Sequence, residues 1–149
     1  MKINFAHVCD YAQLSVDGKL SVSGIFSQIT AAAFPTQHPL LFLAFEIGLS
    51  PAELNRTFPM RIECTDADGQ SIARIDTSLG IGGSARSGDR PAVPQVVQYA
   101  NLVFKKDGEF SFNIWLEGRL EHQSVVTLKS VPPGGVVQGH QPPTAPPAV

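Results

Sequence analysis

In "DGEFSFNIWLEGR", residues 107–119, apolar side chains fall on every second position. Phe110, Phe112, Ile114 and Leu116 alternate with Ser111, Asn113, Trp115 and Glu117. A period of two puts one side of an extended strand in a core and the other in water. Asp107-Gly108 precedes the run, and Glu117-Gly118, a weaker form of the same signal, closes it. Such pairs between alternating runs signal a two-residue hairpin with both turn residues at positive φ. Asp17-Gly18 and Asp68-Gly69 repeat the signal elsewhere. Just before the latter, Phe58, Met60, Ile62 and Cys64 alternate with Pro59, Arg61, Glu63 and Thr65, a second half-buried strand.

Further strands read at residues 3–14, 20–30, 40–49, 71–79, 96–104 and 120–131. "PLLFLAF", 39–45, is apolar on both faces. That pattern suits a central strand covered on both sides, or one that contributes to an interface. Helical character is confined to "SPAELN", where Ser50 and Glu53 complete a capping box around Pro51, enough for one or two turns. About eight strands with tight turns and no room for crossover helices imply an all-β antiparallel sandwich or barrel, the sandwich being favoured, here spanning residues 1–131. Two segments fall outside it. "GIGGSARSGDRPAVP", 80–94, is a long connection, either a flexible loop or a crossing between sheets. "PPGGVVQGHQPPTAPPAV", 132–149, is too rich in Pro and Gly to pack and reads as a disordered tail. Its Pro143-Thr144-Ala145-Pro146 fits a polyproline spacing, which four residues in such a tail match by chance.

Composition narrows the functions. With 149 residues, 43% of them apolar and 16% charged, the chain is one domain's worth and should fold. A formal charge of −2 provides no field that would draw nucleic acid or an anionic membrane surface. The opening "MKINFAHVCDYAQ" is interrupted by Asn4, His7 and Asp10 and is no signal peptide, and no run approaches a membrane helix. A cytoplasmic location is the expectation. There Cys9 and Cys64 are reduced thiols without metal or redox spacing, and the Asn55-Arg56-Thr57 sequon carries no meaning.

Three stretches carry a resemblance: "VCDYAQLSVDGKLSVSGIFSQITAAAFP", "HPLLFLAFEI" and "NLVFKKDGEFSFNIWLEGRLEHQSVVTLKSV". Over residues 5–131 the chain resembles a family of small bacterial domains of unknown function, whose members pair a "CDYA…DGKLSLIGIF" opening with a "GEYRFEVLVDGE" closing hairpin. The resemblance implies an immunoglobulin-like β-sandwich in a bacterial protein and brings no activity with it. The chain departs from the pattern in the 80–94 loop and in the tail.

The candidate chemistry is sparse. His7, Cys9 and Tyr11 share one side of the first strand, with Asp10 on the other. Residues two apart on a strand sit about 6.5–7 Å from each other, too far for a nucleophile-to-base hydrogen bond. A small buried cysteine is the better reading. Asp66, Asp68 and Asp107 could gather around Ca²⁺, but turn chemistry alone calls for Asp beside Gly. His7, His38, His122 and His140 lack zinc spacing. "GIGGSARSG" lacks the Lys-Ser/Thr ending and the helix of a phosphate loop. No catalytic residue, metal or cofactor is therefore assigned.

Trp115 stands out, because alternation places it on the polar face, where a large aromatic anchors a partner or stacks on a sugar. The bland alternative buries it under the 80–94 loop, the tail or a neighbouring sheet. Tyr99 and Asn101, on the preceding strand, are expected to share its surface. The leading expectation is a non-catalytic protein-interaction module with an unidentified protein partner and no nucleic-acid or membrane partner. Self-association through 39–45 is a further option. The alternative is a small-ligand or carbohydrate-binding sandwich, and an enzyme built on His7, Cys9 and Asp10 comes third.

Overall fold

Alternating side chains sort the strands into two layers, and a computed structural model, which describes residues 1–131, shows both. In chain order the strands are β1 Lys2–Leu14, β2 Leu20–Ile25, β3 Gln28–Ala31, β4 Thr36–Gly48, β5 Thr57–Thr65, β6 Ser71–Gly80, β7 Ala92–Phe104, β8 Gly108–Leu116 and β9 Arg119–Ser130. One sheet runs β2-β1-β4-β7 and the other β3-β9-β8-β5-β6. The all-β two-sheet architecture is the one the alternation implied. Every pairing is antiparallel except β3 with β9, which is parallel, so the five-stranded sheet is mixed. The expected tail, 132–149, lies outside the described residues.

Nine strands stand where eight were read, because residues 20–30 divide. β2 pairs with β1, then the chain passes at Phe26 and Ser27 to the opposite layer, where β3 joins β9. Gly24 marks the departure: its φ is 69°, and a Cβ there would lie 2.5 Å from the Asp10 carboxylate.

The core fills from both inner faces. Val8, Leu41, Leu43, Phe45 and Ile47 come from the four-stranded sheet and Phe58, Ile62, Phe110, Phe112, Ile114 and Leu116 from the other. Each such side chain contributes roughly 1.5–3 kcal/mol by leaving water. In the doubly apolar 39–45 segment, Leu41 to Phe45 are buried in a central strand, while Pro39 and Leu40 stay exposed. Phe42 and Ala44, on the other face of β4, meet Cys9 and Ala12, with Leu20, Val22 and Val96 packed against them. The far half of the β1–β2 hairpin curls over β4 until β1 touches β7. That cover takes Phe42 and Ala44 out of any surface that 39–45 could offer for self-association.

Turns follow the chemistry with one exchange of roles. Glu117-Gly118 is the two-residue hairpin, with φ of 51° and 78° between paired Leu116 and Arg119. At Asp17-Gly18 and Asp68-Gly69 only the glycine is left-handed, and the turns are wider, with Ser15 N–H donating to Lys19 O and Asp66 N–H to Gln70 O at 2.9 Å each. Asp107-Gly108 closes no hairpin, since β7 and β8 belong to different sheets. The 80–94 stretch is likewise a crossing between sheets, pinned where Asn55 Nδ2 donates to Gly83 O at 2.9 Å and Gly83 N–H returns to Asn55 Oδ1 at 3.1 Å. "SPAELN" forms a 3₁₀ turn over Pro51–Glu53, with Ser50 N–H donating to Glu53 Oε2 at 2.8 Å. Among the described residues no helix is long and apolar enough to cross a membrane.

Candidate functional site

Trp115 lies on the outer face of the five-stranded sheet, half-buried, directly across from Arg61 of β5. On its other side the β8–β9 register shifts, from Ile114 opposite His122 to Trp115 opposite Leu120, so β9 carries one extra residue there. A groove of about 370 Å³ opens beside the indole, walled by Pro59, Arg61, Asp76, Thr77 and Gly118. Its walls are β5, β6 and the turn after β8, so the 80–94 connection does not roof it. At its floor Asp76 is shared: Arg74 Nε donates to Oδ2 at 2.6 Å and Arg61 Nε to Oδ1 at 2.7 Å. The hydrogen bond from Arg74, then that from Arg61, holds the Asp76 carboxyl below its usual range. The indole Nε1 is buried and has no acceptor among the described residues.

The rest of this face mixes exposed Leu120 and Val125 with polar side chains. Asn113, only 7% exposed, donates from Nδ2 to Thr65 Oγ1 at 3.2 Å and accepts from Gln123 Nε2 at 3.0 Å. This ladder links three strands across the sheet, so Trp115 is the large aromatic at the end of a hydrogen-bonded surface. The ladder had no signal in the sequence, because it depends on which strands are neighbours.

Tyr99 and Asn101 do not share that surface, a correction to the sequence reading. Both sit on β7, in the other sheet. Tyr99 points into the core at 6% exposure, edge-on to Phe112 with ring centroids 5.4 Å apart. Its hydroxyl is buried without a partner among the described residues, and that burial, with a smaller effect of Cys64, pushes its pKa up. Asn101 is exposed on the same strand with φ of 54°. β7 and β8 are consecutive in the chain, but residues 105–107 carry it from one layer to the other.

The first-strand group does not converge either. Cys9 is fully buried, its Sγ 3.7 Å from Phe42 O, and burial is the main cause of its raised thiol pKa. Burial likewise pushes the Cys64 thiol up to about 12. His7 is exposed and stacks on Phe5. Of the loop aspartates, Asp66 Oδ1 accepts the N–H groups of Asp68 and Gln70 at 2.9 Å each, and Asp68 holds Lys106 Nζ at 2.6 Å. Turn chemistry and an ion pair account for both, and among the described residues no group of three or more His, Cys, Asp or Glu could hold a metal ion. One polar contact escaped the sequence reading. His122 Nε2 meets Ser124 Oγ at 3.1 Å, and that hydroxyl lies 3.5 Å from Ala6 O, tying β9 to β1 across the two layers. Desolvation, and then the nearby His7, lowers the His122 pKa.

No curated protein matches the sequence. Among solved structures the chain is similar to Pseudomonas fluorescens alkylpurine DNA glycosylase AlkC bound to DNA containing an abasic site analog, at 10% identity and a TM-score of 0.41. The likeness covers 83% of this chain and 30% of that one, and at this level it says nothing of function here. A sequence family does match, over residues 4–129, nearly the span of the resemblance read from the opening and closing motifs. The chain belongs to this family, DUF6941, a family of unknown function.

Proposed function

We propose that this domain is a non-catalytic protein-interaction module that engages an unidentified protein partner through the outer face of its five-stranded sheet. The observation that carries the reading is Trp115, set outward beside a groove on a hydrogen-bonded face. Buried-on-binding tryptophans dominate interface energetics when rimmed by polar groups, and the exposed Arg61 and Asp76 form such a rim. A non-catalytic role is supported by the raised thiol of Cys9 and the separation of the groups an enzyme would bring together. The low net charge of −2 favours a protein over nucleic acid or a membrane surface, and the reduced cysteines suit a bacterial cytoplasm. The immunoglobulin-like reading draws support from the two packed sheets, in which consecutive strands cross from one layer to the other at β4–β5, β6–β7 and β7–β8.

Trp115→Ala tests the reading in a pull-down from source-cell lysate with mass spectrometry. A specific partner is expected with the wild type and absent with the variant, while circular dichroism stays that of the wild type. Capture of the same partner by a well-folded variant would sink the idea. One observation favours a small ligand instead. The groove's volume of about 370 Å³ falls in the range of small-molecule sites, and its indole beside Arg61 and Asp76 suits a sugar ring. Glycan titration followed by Trp115 fluorescence separates the two, since a sugar site requires a saturable shift.

A further inference from the structure

A sheet ends in strands whose outer N–H and C=O groups are free to pair, and proteins blunt such edges with short strands, proline, lysine or irregular backbone. Three of the four edges here are blunted. β2 has six residues and a left-handed Gly24, and β3 has four. β7 is long but carries Pro94, which has no N–H, and Asn101 at φ 54°. The part of β9 beyond β3 is met by β1 through the Ser124 hydroxyl and Ala6 O. β6 is different. Its ten residues, "SIARIDTSLG", contain no proline, no lysine and no glycine before the last position, and its one irregularity, an extra residue at Ile72, precedes the regular run 73–80. β5 pairs with one side of it, and among the described residues no strand pairs with the other. Residues 74–78 are all exposed.

We propose that β6 pairs antiparallel with β6 of a second copy about a two-fold axis at Ile75, joining two five-stranded sheets into one of ten strands. The proposal goes beyond the Trp115 reading and does not depend on it. The register follows from charge and parity. A two-fold axis perpendicular to the sheet leaves every side chain on its own face, so the pairing must centre on a residue. Centred on Arg74, it sets two guanidinium groups against each other; centred on Asp76, two carboxylates. Centred on Ile75, it sets Arg74 opposite Asp76 of the other copy, twice over, and opposite charges across a strand pair stabilise where like charges destabilise. Arg74 engages its own Asp76 through Nε, which leaves the Nη donors for the second carboxylate. Ile75, 37% exposed at the rim of the core-facing side, then meets its own copy, and residues 73–77, the regular run clear of the bulge at Ile72, pair directly.

Light scattering on the full chain over a concentration series reads the association directly. The mass is expected to rise from 16.0 kDa toward twice that value. Arg74→Asp and Asp76→Arg each set like charges in register and are expected to stay monomeric. Mixed one to one, the two variants bring two negative positions against two positive ones, and the doubled mass is expected to return. A wild type that remains at 16.0 kDa at every concentration overturns the proposal. So does a single variant that dimerises as the wild type does, or a mixture of well-folded variants that stays monomeric. Trp115→Ala is expected to dimerise normally, so loss of the partner and loss of the dimer are read separately.

Discussion

Trp115 and Tyr99 each end in a polar atom that is buried without a partner among the described residues, but their surroundings differ. Tyr99 is locked in the core against Phe112, where an unsatisfied hydroxyl costs about 1–3 kcal/mol. Tyr99→Phe keeps the ring and is expected to raise stability by about 1 kcal/mol, read as a higher urea midpoint at unchanged slope. A lower midpoint would show that the hydroxyl has a partner in solution. The two residues also differ in how legible they were. Trp115 could be placed outward because β8 keeps a strict period of two from Phe110 to Leu116. On β7 the inward positions change parity, from Tyr99 to Leu102 and Phe104, at the left-handed Asn101. An Asn can adopt that conformation, but nothing in the letters says that it does, nor that β7, the strand before β8, belongs to the other sheet.

At the scale of the element, three Asp-Gly pairs looked equivalent, and the weaker Glu-Gly pair turned out to be the tight hairpin. Which turn forms depends on whether the flanking strands end in the same sheet, and that is decided by residues far away. Glu117 accordingly holds φ of 51°, a conformation that costs an ordinary side chain roughly 1–2 kcal/mol and that asparagine tolerates. Glu117→Asn is therefore expected to stabilise by up to about 1 kcal/mol in denaturant titration, because its contact with Arg56, at 4.0 Å on the surface, contributes little. The tie between β9 and β1 adds a pH dependence. The His122 pKa lies below its unfolded value, so the unfolded chain takes up the proton first. Stability from this source is full above about pH 6.5, falls as pH drops through that value, and levels off below the folded pKa. Thermal melts from pH 8 to pH 5 should show the decline, and His122→Gln should flatten it. The lowered carboxyls of Asp17, Asp68 and Asp76 give a separate loss at more acid pH, below about 4, as they take up protons.

For the whole molecule, the sandwich was readable because most strands have one wet and one dry face, whereas the curl of the β1–β2 hairpin was not. That curl makes the two outer faces unequal. The four-stranded sheet is covered around Phe42, Ala44 and Val96 by its own hairpin, whereas among the described residues no such cover lies over the groove beside Trp115. Paired through β6, two such faces would be continuous, with the two indoles five strand spacings apart, about 24 Å. The doubly apolar β4 has a further consequence while the chain is being made. Its partners on every side come later in the sequence, except for β1 and β2: β7 beside it and β5 and β8 across the core all follow Gly48. At synthesis rates of about 5–20 residues per second, roughly 3–14 s pass between the emergence of Gly48 and that of Leu116. During that interval the early hairpin, folded back over Phe42 and Ala44, is the cover the nascent strand has, and it shields one of the two faces on which β4 would otherwise aggregate.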